Sequence, residues 1–298
     1  MRRLVIALAA LATSAAAPPQ ANQDIIVTGR KLSSHEVSKA VGSISRPEST
    51  GGFEAQYPRW ADRICVAVAG FPRDDAEYIA DRIGAVARDL KLEAGQPGCL
   101  PNIFILATED PAKLIKGLRL KRTGLLDGRE ASVVRRIQDS HDAVRWIGAT
   151  AMRGSLGEPP HDSDSGANGR SIPTINSYNG GSRLVATTQM FLARETIVVD
   201  IRQIDGLSYG QLADYLALVS LAQLNPHASA PGVDTILSLF PRGGTAPAGL
   251  TAFDKAYLAG LYRSTPNSVG AMQKSQIEGT ILKTMRAPAA APPPDAQP

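Results

Sequence analysis

Gln211 and Asp214 are the two side chains best placed to do chemistry in this chain of 298 residues. They stand one helical turn apart on Ser208 to Leu224, a segment that is otherwise almost entirely apolar. Such a pair can form the polar floor of a cleft, or can tie a buried helix to its neighbours. Zinc-dependent hydrolysis needs more: two imidazoles one turn apart to hold the ion, and a carboxylate between them to activate water. The four histidines, His35, His141, His161 and His227, never pair at that spacing. The Gly-x-Ser-x-Gly elbow of a serine hydrolase is absent as well, since Gly154-Ser155-Leu156-Gly157 lacks the spacing. No glycine loop with its lysine is present to cradle phosphate. No catalytic or metal-binding residue is assigned, and no cofactor is expected. Cys65 and Cys99 are the only cysteines. In an oxidising compartment an even count points to one disulfide, with two buried thiols as the alternative.

The elements that would position these residues are legible from periodicity. Arg63 to Ala69 alternates like a strand and ends at Gly70. Ala76, Ile79, Ile83, Val86 and Leu90 then recur at helical spacing, with Asp74 and Glu77 as a capping box. Asn102 to Ala107 is a second strand, which makes a β-α-β unit with parallel strands. If those strands are neighbours, Cys65 and Cys99 fall at one sheet edge. Residues 111–118 and 128–140 are predicted helices, and 143–152 a third strand. Ser182 to Phe191 and Glu195 to Ile204 are read as two further strands around an Ala-Arg turn. In the second, Ile197 and Val199 face one way, Val198 and Asp200 the other. Ser208 caps the long helix with Gln211 as its box partner, and a helix apolar all round is a buried one. Thr251 with Asp254 caps another helix, and Ile277, Ile281 and Met285 stripe a last one.

The ends read differently. Arg2 and Arg3, an apolar run to Ala12 and then small residues have the form of a secretory signal over residues 1–17, too short to span a bilayer. Residues 18–52 are poor in large apolar side chains and are expected to be a disordered arm. Within it, Asp24 to Gly29 reads as a β-prone linker, and it also looks like the contact motif of TonB-dependent receptors. The stretch 154–181 is polar and is expected to be a flexible insertion in a single domain, 53–286. Residues 287–298 form an Ala/Pro tail, expected to be disordered. Net charge is +4. The densest basic cluster, Lys113 to Arg122, lacks the stacking aromatics of a nucleic-acid surface, so it is read as a solvated face.

Four blocks carry a resemblance to a known family. They are Pro58-Arg59-Trp60, Ser208 to Leu224, Thr235-Ile236-Leu237-Ser238-Leu239-Phe240, and Leu250 to Tyr262. Together they resemble the exported bacterial proteins grouped as domain of unknown function 2927, which look like zincin peptidases whose metal motif is often degraded. The resemblance implies an α+β fold: a zincin-like mixed sheet, a buried central helix and C-terminal helices. Laid on Ser208 to Leu224, the zinc motif puts Gly210 and Gln211 at the first histidine and the glutamate, and Asp214 at the second histidine. Glycine offers no ligand and glutamine takes no proton, which implies a pseudoenzyme. The expectation is a periplasmic or secreted, non-catalytic protein without a membrane span. It would bind a peptide or an envelope protein, with Ser182 to Phe191 as the edge strand that holds extended peptide, and would not bind nucleic acid. The alternative is an unconventional hydrolase or metallopeptidase acting through Asp200, Asp214 and His227.

Overall fold

A computed structural model describes residues 31–49, 55–163, 172–175, 182, 184–240 and 246–286. The signal-like segment, the Asp24–Gly29 motif and the Ala/Pro tail lie outside the described residues. In chain order the elements are α1 (Ser34–Ile44), β1 (Glu48–Ser49), β2 (Ala55–Gln56), β3 (Val66–Ala69), α2 (Arg73–Asp89), β4 (Ile103–Thr108), α3 (Pro111–Leu120), α4 (Ala131–Gln138), β5 (Val144–Gly154), β6 (His161–Ser163), β7 (Ile172–Thr174), β8 (Thr188–Asp200), α5 (Tyr209–Leu221), α6 (Ala252–Arg263) and α7 (Gly270–Arg286). The fold is mixed α+β. Its main sheet has four strands in the order β3-β4-β8-β5. The first three are parallel, and β5 runs antiparallel at the edge.

The central strand explains the layering. Ile197 and Val199 belong to the large core shared with α1, α2, α5, α6 and α7, whereas Val198 faces a smaller cluster with Ile115, Val134 and Ile137 from α3 and α4. A strand covered on both faces is expected to read as a continuous apolar run, and Ile197-Val198-Val199 does. Helix α5 lies inside the larger layer with ten successive residues buried, Leu212 to Leu221. Its capping box between Ser208 and Gln211 forms as the sequence predicts. The same holds for Thr251 and Asp254 at α6.

Four expectations need correction. The arm expected over 18–52 contains α1, closed by a capping box between Ser33 and Glu36. Val37, Val41 and Ile44 of that helix are fully buried. These three apolar residues at helical spacing were too few to stand out among the polar ones around them. Helix α2 starts at Arg73 behind Pro72 and has no side-chain cap. Asp74 and Asp75 sit in its first turn, where a carboxylate favours the positive end of the helix dipole. Ser182 to Phe191 and Glu195 to Ile204 are not two strands around a turn. Residues 188–191 and 195–200 of these stretches belong to one strand, β8, which ends at Asp200 and is followed by a 3-10 turn, Ile201–Gln203. Ala149 pairs with Arg194 and Thr150 with Leu192, so Ala193 is a bulge. Ala-Arg has no glycine, asparagine or proline to reverse the chain, and both halves find partners on β5. Consequently Ser182 to Phe191 is not the edge strand; β5 is. Finally, part of 154–181 is ordered as the small hairpin β6-β7.

Cys65 and Cys99 are bonded, with Cα atoms 6.0 Å apart. The parallel pairing of Val66 with Ile103 places both cysteines at the same end of β3 and β4. No helix among the described residues is long and apolar enough to cross a membrane.

Candidate binding site

Gln211 and Asp214 do share a face of α5, and that face is already occupied. Gln211 Nε2 donates to Pro247 O at 2.8 Å, while its Oε1 serves the Ser208 cap. Asp214 Oδ1 accepts from Arg82 Nε of α2 at 2.5 Å. Asp214 Oδ2 accepts from Arg82 Nη2 at 3.1 Å and from Leu250 N at 2.7 Å. A Cβ at Gly249 would fall 2.4 Å from that oxygen, so glycine lets the backbone come this close. The pair thus clamps α2 and the segment 247–250 onto α5.

Asp200 and His227 lie elsewhere. Asp200 is gripped by the guanidinium of Arg202 at 3.0 and 2.9 Å and by Gln203 Nε2 at 3.1 Å. The Arg202 hydrogen bonds, ahead of all other causes, pull its carboxyl down to about 2. His227 Nδ1 lies 3.3 Å from Asp142 Oδ2. Among the described residues no three His, Cys, Asp or Glu side chains come together in a way that could hold a metal ion.

The neighbour of Asp214 points the other way. Tyr215 meets Phe240 edge to face, with ring centroids 4.8 Å apart, and burial pushes its phenol up. With His141, Arg202, Gln203, His227 and Phe240 it lines a cavity of about 590 Å³. Across the His227–Asp142 contact lies a second cavity of about 250 Å³, which Trp146 and Pro226 also border. Its walls are Val133, Ile137, Trp146 and Pro226, and three arginines open onto it: Arg46, Arg136 and Arg145. Sequence spacing could not reveal this cluster. The arginines come from the α1–β1 link, α4 and β5, separated by 90 residues and by 9.

Both cavities adjoin the start of β5, whose outer edge has two halves. Glu195 N donates to Asn102 O, away from β5, so the backbone groups of its partner Gly148 face outward. Arg129 Nε covers Gly148 O at 2.5 Å and Arg129 Nη1 reaches Glu48 Oε1 at 2.6 Å. This ion pair straps one layer to the other across the edge. Beneath it, Glu195 is fully buried and its Oε1 has no hydrogen-bond partner. Burial drives the Glu195 carboxyl well up, against the pull of Arg129 and Arg46. Beyond the strap no described residue covers the edge. Leu192 N donates to Arg59 O, again away from β5, so Thr150 and, by alternation, Met152 turn their N–H and C=O groups outward. No described residue pairs with them. The opening ends where Gly154 N donates to Glu158 O, next to the largely exposed Leu156.

The Pro58-Arg59-Trp60 block has a structural job. Arg59 Nη1 donates to Leu261 O and Ser264 O at the C-terminus of α6, both at 2.5 Å. Desolvation there lowers its guanidinium to about 10. Trp60 Nε1 donates to Ser220 O of α5 at 2.7 Å. The other blocks meet as well: Asp254 accepts from Thr235 Oγ1 at 2.5 Å and from Ile236 N at 2.8 Å. Comparisons with protein-family models, with curated proteins and with solved structures each find no match.

Proposed function

We propose that this chain is an exported, non-catalytic binding protein of zincin-like architecture, which holds an extended peptide segment of an envelope protein by strand addition to β5. The observation that carries the reading is the open outer edge at Thr150 and Met152, on an antiparallel edge strand placed before the central helix. Strand addition draws its affinity from unpaired main-chain groups of this kind. The element order supports the zincin-like part: a β-α-β unit, an antiparallel edge strand, a parallel strand and then a buried helix. Engagement of Asp214 by Arg82 and Leu250 N, and dispersal of Asp200 and His227, support a binding role over the hydrolase alternative. The disulfide and the signal-like first residues support export to the periplasm or beyond.

The outward direction of the Thr150 and Met152 N–H groups allows a clean test. Proline at either position removes a donor from the outer edge and leaves the ladder to β8 intact. Peptides selected from a displayed random library should bind the wild-type chain. Thr150→Pro and Met152→Pro should weaken them at least tenfold, with little change in melting temperature. Unchanged affinity in both variants would refute strand addition. Stoichiometric zinc in purified protein together with peptide cleavage would favour the hydrolase.

A further inference from the structure

The arginine-lined cavity at the start of β5 is a site in its own right, separated from the open edge by the Arg129–Glu48 strap. Arg145 is 6 % exposed. Its guanidinium is oriented by two carbonyls, Nη1 to Gln138 O at 2.9 Å and Nε to Asp142 O at 3.2 Å, and no carboxylate among the described residues forms an ion pair with it. Arg136 projects from α4 and its guanidinium has no hydrogen bond or ion pair with any described residue. Arg46 has Glu48 at 3.5 Å, but that carboxylate is held more closely by Arg129, at 2.6 Å. Ser140 Oγ also borders the cavity, buried and without a partner. Three cations face two carboxylates at the cavity, Glu48, which Arg129 also holds, and Asp142 on the wall, and with Arg145 buried the remaining positive charge is a demand that an anion would meet.

We propose that this cavity binds a carboxylate carried on a small apolar group. Arg136 and Arg145 would take the carboxylate from two sides, and Val133, Ile137, Trp146 and Pro226 would enclose the apolar part. The volume of about 250 Å³ suits a group the size of one amino-acid residue. Asp142 on the cavity wall makes the site less positive than the arginines alone would, which narrows the advantage of a dianion such as phosphate, and the apolar walls then favour an acid that carries an apolar group. The ligand chemistry is shared by a peptide C-terminus and by a free small acid.

The test follows the Trp146 indole N–H, which donates to Leu224 O at the cavity wall, in ¹⁵N-labelled protein. N-acetyl-leucine should shift this resonance saturably, while its neutral amide should bind at least tenfold more weakly and inorganic phosphate should bind more weakly than the acid. Arg136→Ala removes an exposed side chain with no partner among the described residues, so its fold should be retained and its affinity for N-acetyl-leucine reduced about fivefold or more. Arg145→Gln should abolish binding. Equal binding of acid and amide, tighter binding of phosphate, or unchanged affinity in Arg136→Ala would overturn the proposal. A tripeptide ending in leucine that binds more tightly than N-acetyl-leucine assigns the ligand to a chain end, and equal affinity assigns it to a free acid. N-acetyl-leucine is too short to add a strand at Thr150, so a negative result with it leaves the β5 reading standing, and the proline variants leave this one standing.

Discussion

Glu195 pairs across the sheet with Gly148, and the space above that glycine is filled by its own carboxylate. A Cβ at Gly148 would lie 2.4 Å from Glu195 Oε2 and 2.8 Å from Gln223 Oε1. Burial drives the Glu195 carboxyl upward against the pull of Arg129 and Arg46, and the neighbouring Gln223 Oε1 suits a carboxyl that keeps its proton. The sign for stability follows. A carboxyl whose folded pKa is raised contributes fully below its unfolded value of about 4.3, and that contribution is lost as pH rises towards the folded value. Glu195→Gln keeps the shape, removes the ionisation and offers a donor to Gln223. The variant should be more stable than wild type near neutral pH by about 1 kcal/mol or more, and the gap should close in acid. Urea unfolding at several pH values measures it; a variant less stable at every pH would disprove the assignment. At this scale the sequence was legible only where spacing carries information. Gln211 and Asp214 could be paired on one helix face, but Arg82, the partner of Asp214, is 132 residues away in the chain. Likewise nothing near Arg145 in sequence points to Arg46 or Arg136.

Elements were more legible than contacts, because periodicity is local. Helices α3, α4, α5, α6 and α7 and strands β3, β4 and β5 fall where apolar spacing puts them. The Ala193 bulge escaped because a bulge and a turn both interrupt alternation, and only pairing with β5 tells them apart. The closure of β3 and β4 by the disulfide belongs to this scale. Cys65 and Cys99 are 34 residues apart, and in the chain-entropy model a loop of that length contributes about 4 kcal/mol. Changing both cysteines to serine should lower unfolding stability by about that amount, and dithiothreitol should do the same to wild type while leaving the double variant unaffected. Equal stability of the two proteins under oxidising conditions would show that the bridge does not stabilise the fold.

The molecule as a whole depends on a segment that composition marked as peripheral. Helix α1 places Val37, Val41 and Ile44 in the main core, and Ser45 Oγ meets Tyr257 OH at 2.9 Å. Full burial of each such branched side chain contributes about 1.5–3 kcal/mol, partly offset by the entropy of ordering the segment. A chain starting at residue 50 should therefore lose about 4 kcal/mol or more, a large share of the 5–15 kcal/mol typical of a domain. An unchanged melting temperature would restore the mobile-arm reading. The residues around them, among them Lys31, Ser33, Ser34, His35, Glu36, Ser38, Lys39, Ser43, Ser45 and Arg46, are polar enough to hide the three that matter, which is why an average over the window misled.

The Arg129–Glu48 strap has one further consequence. A bare sheet margin is an invitation to any passing β-prone chain, including a second copy of this protein, and long registers lead to fibres. By bolting the margin shut at Gly148, the ion pair leaves a landing strip of only five residues, 149–153, between the bolt and the turn at Gly154. A visitor can dock there and leave again, but two molecules cannot zip together along the full length of β5.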